Sequence, residues 1–447
     1  MTEMLELHKA KMHADGLAAA VVDCFAHYYT KLAGGDRGLV PNREITALDS
    51  NAMPVLDDLP PGDPAALAHT VMLKLNGGLG TSMGLKKAKS LLPVKPDFTF
   101  LDSIAHQAQN WRIRLLFMNS YNTRDDTRNF FDAYPQLVAD NNPLGFLQNR
   151  FPRIARKTGE PLDFGDERDW NPPGHGDLYL AIQKDGLLDS LLAEGYRHLF
   201  VSNADNLGAT PDPRIPAFME RNGVSFVLEA CRRSAMDTKG GHLAFSKKRG
   251  VLLLREVAQC PDEDLDGFQD IDRFQWFNTN NLWIDLRTLK QRLLENSGFL
   301  PLPMIRNRKT VEGIDVVQIE TAMGAAIELF PAACAMIVPR SRFVPVKKTD
   351  DLLVLRSDIY DLDPTTGVLS ADAAPPSVAL DEHFYKTMDD FDARFPAGAP
   401  SLKRCTELTV EGDVTFGSDV ALSGAVHVTA AAPATLATGE YTGTITL

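Results

Sequence analysis

The stretch Leu75-Asn76-Gly77-Gly78-Leu79-Gly80-Thr81-Ser82-Met83-Gly84, LNGGLGTSMG, is followed by LKKAKSLLPVK, ending at Lys95. Immediately before it lies VMLKL (71–75), a short apolar run that stops at the glycines. This order predicts a strand running into a glycine loop. Glycine has no Cβ, so such a loop turns tightly and its N–H groups can approach an anion. Between Val71 and Pro96 stand Lys74, Lys86, Lys87, Lys89 and Lys95, and no acid. The expectation is a local cluster of positive charge inside a chain of formal charge −13, a focused site for phosphates.

The loop is not a P-loop, because no register satisfies GxxxxGK[ST]. GxGxxG also fails, since Met83 stands where its third glycine belongs; GxGxxxG matches at Gly78, Gly80 and Gly84. A dinucleotide reading therefore stays open, with Asp97 or Asp102 as ribose reader.

Working outward, further strand-like runs occur at 113–120, 197–203, 224–230 and 251–257. Helical patterns lie between them, including 102–111 with Asp102 as N-cap and 124–133 with Thr123 as N-cap. Alternation of this kind predicts an α/β core with a largely parallel sheet. Ligands of such sheets sit beyond the strands' carboxyl ends, where both the glycine loop and SNADN (202–206) fall. Residues 3–33 have helical spacing ended by Gly34-Gly35, and 56–67 reads as a connector.

From 408 the pattern changes. Leu408, Val414, Val420 and Val426 are six apart, and so are Val410, Phe416, Leu422 and Val428. Two registers of period six suit a β-helix, with a hairpin meander as the alternative.

At 447 residues, with 44% apolar and 23% charged content, the chain is long enough for two or three domains. Its acidity argues against nucleic acid or an anionic membrane as a general partner. The five cysteines are far apart, odd in number and without zinc spacing, which predicts reduced thiols. The N-terminus carries early acids and no long apolar run, so a cytoplasmic protein is expected.

LNGGLGTSMG followed by Lys89-Ser90 resembles the nucleotide-binding loop of the eukaryotic-type UTP–glucose-1-phosphate uridylyltransferases. LQNRFPRI (147–154), PPGHGDLY (172–179), SNADNLGAT (202–210), FNTNNLWIDL (277–286), VVQIETAMGAAI (316–327) and RFVPVKKTDDLLVLRSDIY (342–360) look like that family's segments, in its order. One departure stands out: the family usually has Gly-Pro before that lysine, and here Lys87-Ala88 takes its place.

The resemblance implies a Rossmann-like, GT-A-type nucleotidyltransferase, a mixed sheet flanked by helices, over residues 1–385. A helical extension would cover 1–68 and a left-handed β-helix 386–447. It implies magnesium-dependent transfer of a uridylyl group from UTP to glucose 1-phosphate, giving UDP-glucose and pyrophosphate. The sugar phosphate would attack the α-phosphorus in line, so positioning and charge neutralisation dominate. Lys89 and Lys347 would neutralise phosphates. Leu75, Gly77, Gly78, Gly80, Gln148 and Gly174 would bind the nucleotide, with the Gln148 amide reading uracil. His175, Asn203, Gly241, Glu256 and Asn280 would hold the sugar phosphate, and Asp205 the Mg²⁺. Assembly through the β-helix is compatible with this. A broad-specificity UDP-sugar enzyme, an NADP-dependent dehydrogenase and a non-catalytic nucleotide-binding protein are the competing readings.

Overall fold

The apolar run at 71–75 lies within the first long strand of the central sheet, β1 (Thr70–Asn76), which is buried along almost its whole length. In this computed structural model, which describes residues 2–234, 237–238 and 240–447, it is joined by further strands in chain order. These are β2 (Arg114–Asn119), β3 (Gly145–Leu147), β4 (His198–Asn203), β5 (Phe226–Arg232), β6 (His242–Ser246), β7 (Leu252–Arg255) and β8 (Trp276–Asp285). The sheet runs β6-β8-β4-β1-β2-β3, with β5 against β8 and β7 against β6.

The pairs β4–β1, β1–β2 and β2–β3 are parallel, whereas β8 runs antiparallel to β4, β5 and β6. The sheet is therefore mixed: the parallel arrangement expected from alternation holds for the half that carries the glycine loop, and beyond β8 it recurs where β5 pairs in parallel with Ala333–Ile337. Both faces are covered. Met72 and Phe200 pack into one apolar cluster, and Val71, Leu73, Leu199 and Val201 into the other, as the period-two rule requires.

The expected helix over 3–33 is two helices, α1 (Thr2–Ala14) and α2 (Ala19–Ala33). Gly16, at φ +76°, turns the chain between them, a conformation that favours glycine. The helix expected over 102–111 is α3 (Phe100–Trp111), and its N-cap is Thr99. Asp102 instead closes a capping box from the third helical position, accepting from the Thr99 N–H at 2.8 Å. The next helix, α4 (Arg124–Phe131), follows Thr123, but the Thr123 hydroxyl donates to the Asn76 carbonyl at 2.6 Å and does not cap it. The strand expected over 251–257 stops at Arg255, where Glu256 turns the chain.

Beyond the main sheet, β9 (Met304–Val311) and β10 (Ile314–Thr321) form a hairpin that pairs with Ile154–Ala155. The α2 helix packs on that hairpin through Tyr28 and Tyr29.

The C-terminal strands β11 (Ser377–Leu380), β12 (Ser401–Glu411), β13 (Val420–Thr429) and β14 (Gly439–Thr446) pair in parallel, in that order. Leu408 pairs with Val426 and Val410 with Val428, three six-residue periods apart. All eight residues of the two periodic registers are at most 2% exposed. Parallel neighbours exclude the hairpin meander, whose adjacent strands are antiparallel.

Candidate functional site

The parallel pairing sets Leu75 level with Asn203, and Ala204 N–H donates to the Leu75 carbonyl at 3.0 Å. The glycine loop and the SNADN loop thus leave the sheet side by side at its carboxyl edge. Gly80 has φ +66°, and a Cβ there would lie 2.7 Å from Leu85 Cδ1. Gly78 faces open space. Its carbonyl accepts from Lys89 N–H at 3.1 Å, which folds the segment back and turns the Lys89 side chain inward.

Ala88, in the position the resembled family gives to proline, uses its N–H: it donates to Asp126 Oδ2 at 2.7 Å. Proline could not make that bond. Lys86 and Lys87 are exposed, so Lys89 is the lysine of this group that enters the cleft.

The expected cluster of five lysines is not realised. Lys74 is fully buried, donating to Ser202 Oγ at 2.8 Å and the Ala209 carbonyl at 2.9 Å. Burial, with the Arg342 charge adding, pushes its pKa down to about 7. Lys95 turns away to the Ser357 carbonyl at 2.7 Å.

Lys89 Nζ donates to Asp205 Oδ2 at 2.7 Å and to the Val346 carbonyl. The sequence assigned these two side chains to separate partners, phosphate and metal; the structure joins them. Beside the pair lies a hollow of about 300 Å³ lined by Asn203, Asp205, Gly241, Glu256, Asn280 and Lys347, residues drawn from five segments. A Cβ on Gly241 would fall 2.5 Å from Glu256 Oε2, so only glycine leaves room for that carboxylate. Burial raises the Glu256 pKa and the Lys347 charge opposes the rise.

The remaining sequence-predicted residues are on the glycine-loop side or on the neighbouring loop 173–177. The Gln148 amide lies against Gly77, 3.5 Å from where a Cβ would be. Gly174 has φ +80°, and a Cβ there would meet the Thr321 carbonyl at 2.4 Å. His175 Nδ1 accepts from Met323 N–H at 3.0 Å, leaving the proton of the neutral ring on Nε2. Burial pushes its pKa down to about 4, so the ring is a neutral donor at pH 7.

Sequence reasoning missed two supports. Asn278 clasps Asn280, donating to its Oδ1 at 2.8 Å and accepting from its N–H at 2.9 Å while Asn280 holds φ +59°. Two asparagines two apart in a strand share a face, which was the available signal. The second support is Glu229, fully buried. It accepts from Arg342 at 2.6 and 2.7 Å, Asn281 at 3.0 Å and Trp283 at 2.9 Å. This pair anchors the segment that delivers Lys347, and Val346 N–H then reaches the Asp205 carbonyl at 3.2 Å. Nothing local in the sequence marks a pairing across such a separation.

Among the described residues no three His, Cys, Asp or Glu side chains group as a metal cage. Asp205 offers one carboxylate in an open cleft, which fits an ion shared with a ligand's phosphates.

A lysine–aspartate pair, a second lysine and an open glycine loop at the carboxyl edge of the sheet suit phosphorylated ligands, and the class such a cleft points to is the nucleotidyltransferases. The sequence matches the family model for UTP–glucose-1-phosphate uridylyltransferase over residues 22–423. Curated relatives of that name include those of Hordeum vulgare, 40% identical over 88% of this chain and 84% of its own, and Solanum tuberosum, 40% identical over 87% and 83%. The fold superposes on the UDP-glucose pyrophosphorylase of Leishmania major with TM-score 0.94, 41% identity and full coverage of both chains. A mutant of that protein in complex with UDP-glucose gives TM-score 0.93 at 41% identity, over 99% of each chain. The chain belongs to the UTP–glucose-1-phosphate uridylyltransferase family and is an enzyme of that type. The dehydrogenase and non-catalytic readings fall with that membership.

Proposed function

We propose that the cleft joins UTP and glucose 1-phosphate reversibly, by in-line attack of the sugar phosphate oxygen on the α-phosphorus. The observation that carries this is the Lys89–Asp205 pair at the mouth of the glycine loop, in a chain of this family. Gly77, Gly78 and Gly80 offer backbone to the nucleotide, with Leu75 and Gly174 bordering it, and the Gln148 amide reads the uracil edge. Lys89 leaves Asp205 for the UTP phosphates as they enter. Lys347 spans the phosphates of both substrates. His175 donates from Nε2 to the sugar phosphate, while Asn203, Gly241, Glu256 and Asn280 accommodate the glucose. Mg²⁺ on Asp205 supplies charge neutralisation when bound.

Catalysis belongs to residues 1–385 in this reading, and 386–447 form a left-handed β-helix; the parallel pairing of β11 with β12 supports drawing Ser377–Leu380 into that second part. The free edge of β14 offers a surface for self-association. A cytoplasmic location belongs to the same reading; among the described residues no helix is long and apolar enough to cross a membrane.

The test is pyrophosphate release from UTP, Mg²⁺ and glucose 1-phosphate, run beside galactose 1-phosphate. Release with glucose 1-phosphate that EDTA abolishes is the expected result. No release with any sugar phosphate refutes the assignment.

A further inference from the structure

On the outer face of the β9–β10 hairpin, under α2, a second hollow of about 220 Å³ shares no lining residue with the cleft. Its floor is apolar, built from Tyr29, Leu32, Ile154 and Val317. Its rim carries Arg156, Arg306 and Arg308, and Arg37 adds to the positive field at Arg306.

Arg306 and Arg308 are two apart on one strand, so both point to the same face, roughly 7 Å apart. Among the described residues, none of the four arginines has a carboxylate partner within 4.0 Å. Acids carried by the neighbouring segments form no ion pair with them. Asp315, on the same face of β10, accepts from Thr310 Oγ1 at 3.2 Å, and Asp36 from Gly38 N–H at 2.8 Å. Glu312 pairs with Arg168 instead.

Like charges gathered without counter-ions cost stability, and more so in a chain whose other surfaces are acidic. Guarding an edge strand against pairing would account for cations on β9, which is the edge of its small sheet. It does not account for arginines converging from β9 and the segment after Ile154–Ala155 over one apolar floor. Planar guanidinium groups above an apolar surface suit an anion attached to a ring.

We propose that this hollow binds a small amphipathic anion, its apolar ring on Tyr29, Leu32, Ile154 and Val317 and its acid group on Arg156, Arg306 and Arg308. The volume is below the roughly 300 Å³ at which drug-sized pockets begin, so one ring with one acid group is the size it takes.

The experiment uses the full chain with the cleft saturated by UDP-glucose. Saturation-transfer NMR follows p-toluenesulfonate, with p-cresol as the neutral control. Binding of the sulfonate, at least tenfold tighter than p-cresol, is expected to survive UDP-glucose. Arg156→Glu/Arg308→Glu, at exposed positions that leave the core untouched, should weaken it at least tenfold while glucose 1-phosphate turnover stays unchanged. Displacement by UDP-glucose, equal binding of p-cresol, or undiminished binding in the double variant would each overturn the proposal.

Discussion

Lys89 and Asp205 neutralise one another at 2.7 Å, and both are only partly buried. Removing the lysine leaves Asp205 without its partner and, in the proposed role, takes a cation from the UTP phosphates. Lys89→Ala is expected to lose roughly 10²–10³ in turnover, the scale of one preorganised electrostatic donor. Its thermal midpoint should stay near that of the wild type, because the pair faces solvent on one side. Turnover within threefold of wild type would remove Lys89 from its role. The neighbouring Ala88 carries a subtler consequence. With proline absent, the backbone of this turn is held by its N–H bond to Asp126. Asp126→Ala should raise the KM for UTP several-fold with little change in kcat, whereas Asp126→Asn, which keeps an acceptor, should recover most of the loss. An unchanged KM in Asp126→Ala would show that the turn needs no such tether.

The α1–α2 pair is the element whose behaviour depends most plainly on one titration. His8 is fully buried between Phe25 and Tyr29, its Nε2 3.0 Å from the Gly159 carbonyl. Burial, with Lys11 adding, pushes its pKa from 6.5 to about 4. The unfolded chain therefore takes up this proton first as pH falls. Stability present above pH 6.5 is lost between pH 6.5 and 4, by on the order of 3 kcal/mol at full expression. Buried His175 acts in the same direction, while Asp177, raised by burial to about 6, acts in the opposite one. His8→Phe keeps the ring packing, and Tyr29 still donates to Gly159 at 2.9 Å. Urea midpoints at pH 7 and pH 5 should differ less in this variant than in wild type; an identical difference would refute the account. This helix pair also marks where the sequence was legible. Apolar spacing gave the helices, but a weak local break at Asp15-Gly16 was outweighed by periodicity, so two helices read as one. At β1 the alternation that sends Lys74 inward was present in VMLKL, yet a lysine count treats every lysine as solvated. Strand ends and motif order were readable because they are local. The Glu229–Arg342 anchor and the Lys89–Asp205 pair were not, because each joins residues more than a hundred apart.

For the whole molecule, the decisive feature is one apolar cluster that crosses from the main sheet to the C-terminal strands. Met72, Phe100 and Phe200 belong to the same cluster as Leu408, Phe416 and Val428. Phe416 is completely buried and stacks on Phe395 at 4.8 Å between centroids, and Tyr385 Oη donates to the Val414 carbonyl at 2.6 Å. Continuity of that kind predicts that both parts unfold together. The sequence supplies the reporter: its four tryptophans, Trp111, Trp170, Trp276 and Trp283, all precede residue 377. Tryptophan fluorescence thus follows the part before residue 377 alone. Phe416→Ala removes about 3–5 kcal/mol of packing from the other part. Under coupled unfolding, the fluorescence midpoint in urea should fall with the circular-dichroism midpoint, and by the same amount. A fluorescence midpoint that stays put while circular dichroism loses an early phase would mean that the C-terminal strands melt on their own, and that the shared cluster does not bind the two parts into one cooperative unit.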